Sequence, residues 1–293
     1  MQQWGAERIA ELAALVGAAV PEEDLTPDEL LTALYDQPGV VLGPADGSGA
    51  LALGVGRDAH GTLVAAVRLI VVRPDRRREG LGTRLLELAE SWALERRARR
   101  LELGGLLPFA LWPGVDPAGP LAALAASHGY VDVGGSSSFA VPASFRAPVP
   151  EGVTLRRAVG DDDHTAVTLA VAAMWPRWSD EVARALDHGT CHGAFATSPT
   201  DPEGRGREVV GLGCHSITRA TSVGPLVVHP NDRRRGIGAA LLGQICRDLM
   251  IADFPAAEVP GVDDGDVEVE GFLVAAGATV RRRHRRMVKH LDG

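Results

Sequence analysis

Two glycine turns in this chain have the residue types and the spacing to bind a phosphate group. Arg77-Arg78-Glu79-Gly80-Leu81-Gly82 recurs 156 residues later as Arg233-Arg234-Arg235-Gly236-Ile237-Gly238. Glycine lets a ligand approach the backbone closely, and the N–H groups that begin a helix point outward without partners. Together with the helix dipole and the arginines, these amides predict an anion site at each turn, most naturally for a diphosphate.

The elements around each turn are those that such a site requires. A strand-like run ending at Val72 precedes the first turn, and Pro74 ends it because proline cannot donate a ladder hydrogen bond. An amphipathic helix follows. Nine of sixteen positions are identical between 71–86 and 227–242. A plain strand–turn–helix corner with solvated arginines is the alternative, and the second copy disfavours it.

The repeat predicts the domain organisation. A chain of 293 residues is long enough for two domains, and each copy falls inside a unit of similar composition and element order. Each half contains helices, an antiparallel meander, the glycine turn, a helix, a strand, a helix and a closing strand. We therefore predict an α/β fold of two tandem domains at 1–145 and 153–293, joined by a proline-containing linker at 146–152. Each domain is a mostly antiparallel mixed sheet flanked by helices.

Composition excludes several classes of partner. The net charge of −8 argues against nucleic-acid binding, and the absence of a long apolar run or a leader pattern argues against a membrane protein. Three cysteines without metal spacing are typical of free thiols in a reducing cytoplasm. His188, Cys191 and His192 are close in sequence but provide too few ligands, so no metal site is predicted. A monomer or a homodimer is expected.

Both turns resemble the acetyl-CoA loop of the Gcn5-related N-acetyltransferase (GNAT) superfamily, whose signature is Arg/Gln-x-x-Gly-x-Gly/Ala after a strand. The tandem arrangement is similar to the mycothiol synthase type of acetyltransferase. The resemblance implies acetyl-CoA as acetyl donor, with its pyrophosphate on the loop amides and its pantetheine arm along the preceding strand. The cofactor-binding residues implied in this way are Leu69, Ile70, Val71, Val72, Arg77, Arg78, Glu79, Gly80, Leu81, Gly82, Thr83, Leu226, Val227, Val228, Arg233, Arg234, Arg235, Gly236, Ile237, Gly238 and Ala239.

The expected proton-transfer residues of that family are missing. Many members carry a tyrosine acid where this chain has Ala125 and Leu273, and a glutamate base on the strand before the loop, where neither half has a carboxylate. Candidate substitutes are Glu102 in the first half and His215 or Asp266 in the second. The alternative for each is an ordinary surface polar residue.

The sequence as a whole predicts a cytoplasmic enzyme, an N-acetyltransferase that moves an acetyl group from acetyl-CoA to a primary amine of a small molecule by direct attack. The missing acids and bases keep a second hypothesis open. In it, one or both halves are non-catalytic acyl-CoA-binding modules that serve as a sensor or scaffold.

Overall fold

The computed structural model describes residues 1–36, 39–57, 61–105, 110–197, 201, 203 and 208–291. The chain forms two compact units. Unit 1 comprises Met1–Ser136 together with the residues from Arg283 onward, and unit 2 comprises Ser137–Arg282. The fold is the predicted mixed α/β type in both units.

The helices and strands of unit 1 follow the order that the sequence predicts. Their bounds are β1 Gln2–Gln3, α1 Ile9–Ala19, α2 Pro27–Leu34, β2 Gly39–Gly43, β3 Gly49–Arg57, β4 Leu63–Val72, α3 Leu81–Glu95, β5 Arg100–Leu103, α4 Pro120–Ser127 and β6 Val131–Pro142, whose end lies in unit 2. Helix α2 begins at a capping box, in which Thr26 and Glu29 each satisfy the other's backbone amide.

Unit 2 repeats this order. Its elements are β7 Val153–Arg157, α5 Gly160–Met174, α6 Ser179–Asp187, β8 Cys191–Ala196, β9 Val209–His215, β10 Val223–Val228, α7 Ile237–Ile251, β11 Ala256–Asp263, α8 Val267–Ala275 and β12 Thr279–His290, whose end lies in unit 1. Strands β7 to β10 form an antiparallel sheet in the order β10-β9-β8-β7.

The sheet of unit 1 is mixed. Strands β1 to β4 pair antiparallel in sequence order, and β5 pairs parallel to β4. On one face, Leu53 and Val67 pack with Leu85 of α3. On the other, Ala52 and Leu69 pack with the residues of α1 and α2. The alternation of side chains along each strand thus separates the face of α3 and α4 from the face of α1 and α2.

The closing strands of the two halves are exchanged. The end of β12 pairs antiparallel with β5, with Met287 opposite Leu103 and His290 opposite Arg100. Strand β6, which closes the first half of the sequence, lies beside β11 instead. The compact units therefore differ from the linear division into 1–145 and 153–293, and that division stays a prediction about the sequence repeat.

Candidate active site

The first glycine turn has a backbone that exposes its amides. Gly80 adopts the left-handed conformation with φ of 78°, and a Cβ at this position would meet nothing within 4 Å. Arg84 N is the first amide to bond back, donating to Gly80 O at 3.1 Å, so the amides before it are left for a ligand. These amides lie at the positive end of α3 and form a cradle of the kind that binds an anion.

The arginines of this turn have different contacts. Arg77 donates to Ala19 O at 2.7 Å and to Val72 O at 3.2 Å, so it ties the turn to the end of α1 and the end of β4. Arg78 is exposed, with φ of 68° and no partner in the described part of the chain. Arg77 therefore positions the turn, and Arg78 is the cation that remains available to a phosphate.

The second turn repeats this backbone. Gly236 has φ of 86° and Arg234 has φ of 65°, and Ala240 N donates to Gly236 O at 3.0 Å. Its arginines make more ion pairs and hydrogen bonds with the protein than Arg78 of the first turn does. Arg235 is bonded to Asp232 and to Glu151 O, and the guanidinium of Arg234 lies 3.0 Å from a carboxylate oxygen of Glu268.

The strand before each turn loses its parallel neighbour. Pairing of β4 with β5 runs from Val64 to Val67 and ends there, with Gly104 N donating to Val67 O at 3.0 Å. The stretch 69–72 remains paired with β3 on its other side. In unit 2 the residue just before β10 meets β11 at an isolated parallel bridge, that of Ser222 with Glu258. Each gap leaves one edge of a strand available to an extended ligand such as a thioester arm.

A buried glutamate lies at the same position beside each gap. Glu102 on β5 is 7% exposed and accepts a hydrogen bond from Arg100 Nε at 2.6 Å. Its neighbours Leu101 and Leu103 pack on the α3 side, so Glu102 faces the α1 and α2 side. Glu258 on β11 is also 7% exposed and pairs with Arg281 at 2.7 Å. Glu258 is the repeat equivalent of Glu102, 156 residues later.

Arg68 is a buried cation at the point where β4 leaves β5. It is 6% exposed and occupies the extra position of the bulge between β3 and β4. One nitrogen donates to Ala33 O at 3.1 Å, whereas the buried Nε has no partner. Gly54 provides its space, since a Cβ there would lie 2.6 Å from Nε. Burial lowers the pKa of Arg68.

The other two predicted catalytic residues lie elsewhere. Asp266 is exposed and caps α8, with Oδ1 accepting from Val269 N at 3.1 Å. His215 is 5% exposed at the end of β9, and its Nε2 lies 3.3 Å from Oδ2 of Asp248 on α7. Both belong to unit 2, whereas Glu102 belongs to unit 1. Their catalytic roles stay predictions, although the contacts give each a structural role.

His215 belongs to a cluster that the sequence analysis did not find. His192 Nε2 lies 2.8 Å from the same Oδ2 atom of Asp248, and Arg157 also bonds to that atom. Burial, and secondarily the nearby His192, lower the pKa of His215 to about 4; burial also lowers that of His192. Burial opposes ionisation of Asp248, but its hydrogen bond with His192 and the adjacent cations bring its pKa below the ordinary value.

Comparisons with known proteins relate unit 1 to a family of acetyltransferases. Residues 8–108 match the model of the acetyltransferase (GNAT) family. Unit 1 therefore carries a GNAT-family domain. The matched range contains the first glycine turn, Arg68 and Glu102. The family generally uses acetyl-CoA, and the match supports acyl transfer as the class of reaction. A comparison with functionally curated proteins finds no match.

Solved structures extend the likeness to the whole chain. A GCN5-related glucosamine N-acetyltransferase region of a fungal multi-domain GH3 β-N-acetylglucosaminidase aligns with a TM-score of 0.76 at 16% identity, over 98% of this chain and 38% of that one. A GCN5-related N-acetyltransferase from Sphaerobacter thermophilus gives 0.70 at 20% identity, over 100% and 95%. A tandem GNAT protein from the clavulanic acid biosynthesis pathway gives 0.70 at 19%, over 99% and 98%.

These identities show the fold, which is that of a tandem GNAT protein over the full chain. This confirms the predicted fold class, whereas the similarity to mycothiol synthase stays a prediction. In the described residues, no helix combines the length and apolarity needed to cross a bilayer.

Three site residues were missed by sequence reasoning. Glu258 had a usable signal, because it lies 156 residues after Glu102 in the same apolar-Glu-apolar pattern. Arg68 had a weaker one, as an arginine inside an otherwise apolar strand. Asp248 had no signal in the sequence, because its histidine partners are 33 and 56 residues away and contact it only in the folded unit.

Proposed function

We propose that this chain transfers an acetyl group from acetyl-CoA to a primary amine of a small molecule, and that unit 1 performs the reaction. The observation that carries the proposal is the gap beyond Val67, which begins beside a buried carboxylate and leads along β4 to the amide cradle at Gly80. The acetyl group, the thioester arm and the diphosphate of acetyl-CoA fit these three places in that order.

Donor binding in this proposal uses the backbone more than side chains. The amides before Arg84 receive the diphosphate at the positive end of α3, and Arg78 adds the available cation. The free edge of 69–72 pairs with the amide groups of the thioester arm, as a short added strand would. The thioester carbonyl then lies near the bulge at Arg68, where donors can polarise it.

The chemical step needs a neutral amine. In our proposal the acceptor ammonium gives its proton to Glu102, directly or through one water, and the free amine attacks the thioester carbonyl. A C–N bond forms, the C–S bond breaks, the nitrogen releases its second proton to solvent, and solvent protonates the departing thiolate. Positioning both reactants at the gap provides much of the rate acceleration, so a single carboxylate is sufficient for proton transfer.

Arg68 defines the class of acceptor. A buried guanidinium with no carboxylate partner among the described residues is costly to the fold, and an anionic ligand would supply the missing charge. It lies on the same face of the sheet as Glu102. We therefore propose that the acceptor is an amine that also carries a carboxylate or a phosphate, held by Arg68 while Glu102 takes the proton.

Unit 2 supports a different function, that of an acyl-CoA-binding module. The position equivalent to Arg68 is Gly224, followed by Pro225, so this position offers no cationic side chain to hold an acceptor. Its loop retains the left-handed glycine and the helix-start amides. The proposal is therefore donor binding without turnover in this unit.

Matched glutamate variants test the assignment of the two units. We expect Glu102→Gln to lower kcat by about 10²- to 10⁴-fold, the usual contribution of a general base, while acetyl-CoA affinity is unchanged. Glu258→Gln is the matched control and should retain turnover. CoA release is measured over a panel of amines with and without an acidic group. Equal loss in both variants would make unit 2 catalytic, and unchanged turnover of Glu102→Gln would refute Glu102 as the base.

Arg68→Met tests the acceptor class separately. We expect KM for amines that carry an acidic group to rise roughly 100-fold, as loss of a charged hydrogen bond predicts, while neutral amines are turned over as before. A uniform loss across all amines would contradict an acceptor-binding role for Arg68.

A further inference from the structure

The His192–His215–Asp248 cluster of unit 2 brings three metal-ligand types to one point. Nε2 of His192 and Nε2 of His215 lie 2.8 and 3.3 Å from Oδ2 of Asp248, and the three ligand atoms all lie within 4.8 Å of one another. The two imidazole rings are stacked, with an interplanar angle of 20°. Strands β8 and β9 contribute the histidines, and α7 contributes the carboxylate, so each ligand comes from a rigid element.

Hydrogen positions around His215 leave one lone pair without a partner. Ser216 Oγ lies 2.5 Å from Ala220 O, and a carbonyl oxygen only accepts, so the hydroxyl proton is committed to it. His215 Nδ1, 2.9 Å from that hydroxyl, must then donate. A neutral His215 consequently presents its bare Nε2 to an oxygen of the Asp248 carboxylate. Two lone pairs facing each other at 3.3 Å are satisfied by a cation that both share, either a proton or a metal ion.

We propose that His192, His215 and Asp248 bind one divalent first-row metal ion, with zinc as the type that fits their chemistry. Zinc takes histidine nitrogen and carboxylate oxygen at about 2.0 to 2.2 Å, so neighbouring ligands of a tetrahedral site are about 3.3 Å apart. The observed separations of 2.8 and 3.3 Å from Asp248 Oδ2 are near this value, and the two imidazole nitrogens, which lie within 4.8 Å of each other, approach it by movement of the side chains. The Nδ1 bond of His215 to Ser216 is the outer contact that orients a metal-binding imidazole.

Arg157 is the competitor of the metal. Its guanidinium bonds to Oδ2 of Asp248 and donates to Gly189 O at 2.7 Å, and its side chain is 44% exposed. It can therefore turn toward solvent when an ion neutralises the carboxylate, leaving the fourth position for water. This site belongs to unit 2 alone and does not depend on the proposed acetyl transfer.

The test uses Zn²⁺ alone as titrant and Co²⁺ as a spectroscopic substitute, on the full chain after treatment with chelator. Calorimetry should give one Zn²⁺ per chain, and Zn²⁺ should raise the thermal unfolding midpoint as a native-state ligand does. Bound Co²⁺ should show visible bands of nitrogen and oxygen ligation. A strong thiolate charge-transfer band would place the metal on the buried cysteines instead and would overturn the proposal.

Variants separate the site from incidental binding. We expect His215→Ala to weaken Zn²⁺ by more than about 100-fold, since even an outer contact is worth about 10- to 100-fold. Ser216→Ala should lower Zn²⁺ affinity about 10- to 100-fold, because it removes the outer contact of His215. Arg157→Gln should raise Zn²⁺ affinity, because it removes the cation that competes for Asp248. His188→Ala, an exposed histidine nearby, is the matched control and should bind as wild type.

Circular dichroism of each variant without metal shows whether it is folded. If a ligand variant does not fold, the Zn²⁺ affinities of Ser216→Ala and Arg157→Gln test the site instead, because these variants leave all three ligands in place. Absence of Zn²⁺ binding by the wild-type chain, or equal binding by all variants, would make the cluster a plain hydrogen-bonded charge network.

Discussion

Glu181 makes the stability of unit 2 dependent on pH. It lies in the first turn of α6, and its Oε2 atom is buried with no hydrogen-bond partner in the part of the chain that the structure describes. Burial, with a smaller contribution from Asp180, raises its pKa from 4.5 to about 7, although a hydrogen bond from its own backbone amide and, more weakly, Arg177 oppose the shift. The thiol of Cys214 is the other titratable group that it influences. A carboxylate that resists ionisation in the fold but ionises freely when unfolded favours unfolding as pH rises.

The sign and size follow from proton linkage. Below pH 4.5 the group is protonated in both states, and it contributes its full stability there. Between 4.5 and about 7 only the unfolded state loses the proton, so stability falls by about 1.4 kcal/mol for each pH unit. The loss reaches about 3 kcal/mol above pH 7, as an order of magnitude. Glu181→Gln removes the ionisation and therefore this loss.

Urea unfolding at pH 5 and at pH 8 measures the effect. We compare the unfolding free energy of the variant with that of wild type at each pH. We expect this difference to grow in favour of the variant by about 2 to 3 kcal/mol between pH 5 and pH 8. Asp180→Asn is the control, because that neighbour is exposed on the same helix turn and should change stability by less than about 0.5 kcal/mol. A variant that follows wild type at both pH values would show that the carboxylate is solvated, and the argument from burial would fail.

Three further predictions concern residues already described. Gly80→Ala and Gly236→Ala should each cost about 1 kcal/mol of unfolding free energy from the left-handed backbone alone, and a cost in only one would contradict the equivalence of the turns. Asp266→Ala should lose about 1 kcal/mol through its cap with turnover unchanged, whereas loss of turnover would make it catalytic. Arg68→Met should raise the unfolding free energy, since it removes a buried unpaired charge; lower stability in urea would show that the fold needs this cation.

The sequence was most informative where local chemistry decides the structure. The left-handed glycines of both turns, the helices after them and the strand 63–72 were predictable, because glycine, proline and hydrophobic periodicity act over a few residues. Apolar alternation also placed Glu102 on a short strand. The predicted fold class is confirmed by the structure and its neighbours.

Contacts between distant segments were beyond such reasoning. Adjacent strand residues point to opposite faces, but this rule could not reveal Asp248 as the partner of His215. The exchange of closing strands had no signal either, because β6 and β12 have similar lengths and similar positions in the repeat. Which strand pairs with β5 depends on contacts made over almost 190 residues.

That exchange affects how the protein is made. A ribosome delivers the first half of the chain long before residues 287–290, yet these residues pair with 100–103 in unit 1. The sheet of unit 1 must therefore wait with one edge of β5 open while the whole of unit 2 is synthesised, at about 5 to 20 residues per second. The nascent chain carries an unpaired strand edge for tens of seconds, the kind of surface to which chaperones and other nascent chains attach. Completion of the amino-terminal unit is thus one of the last events in the folding of this protein.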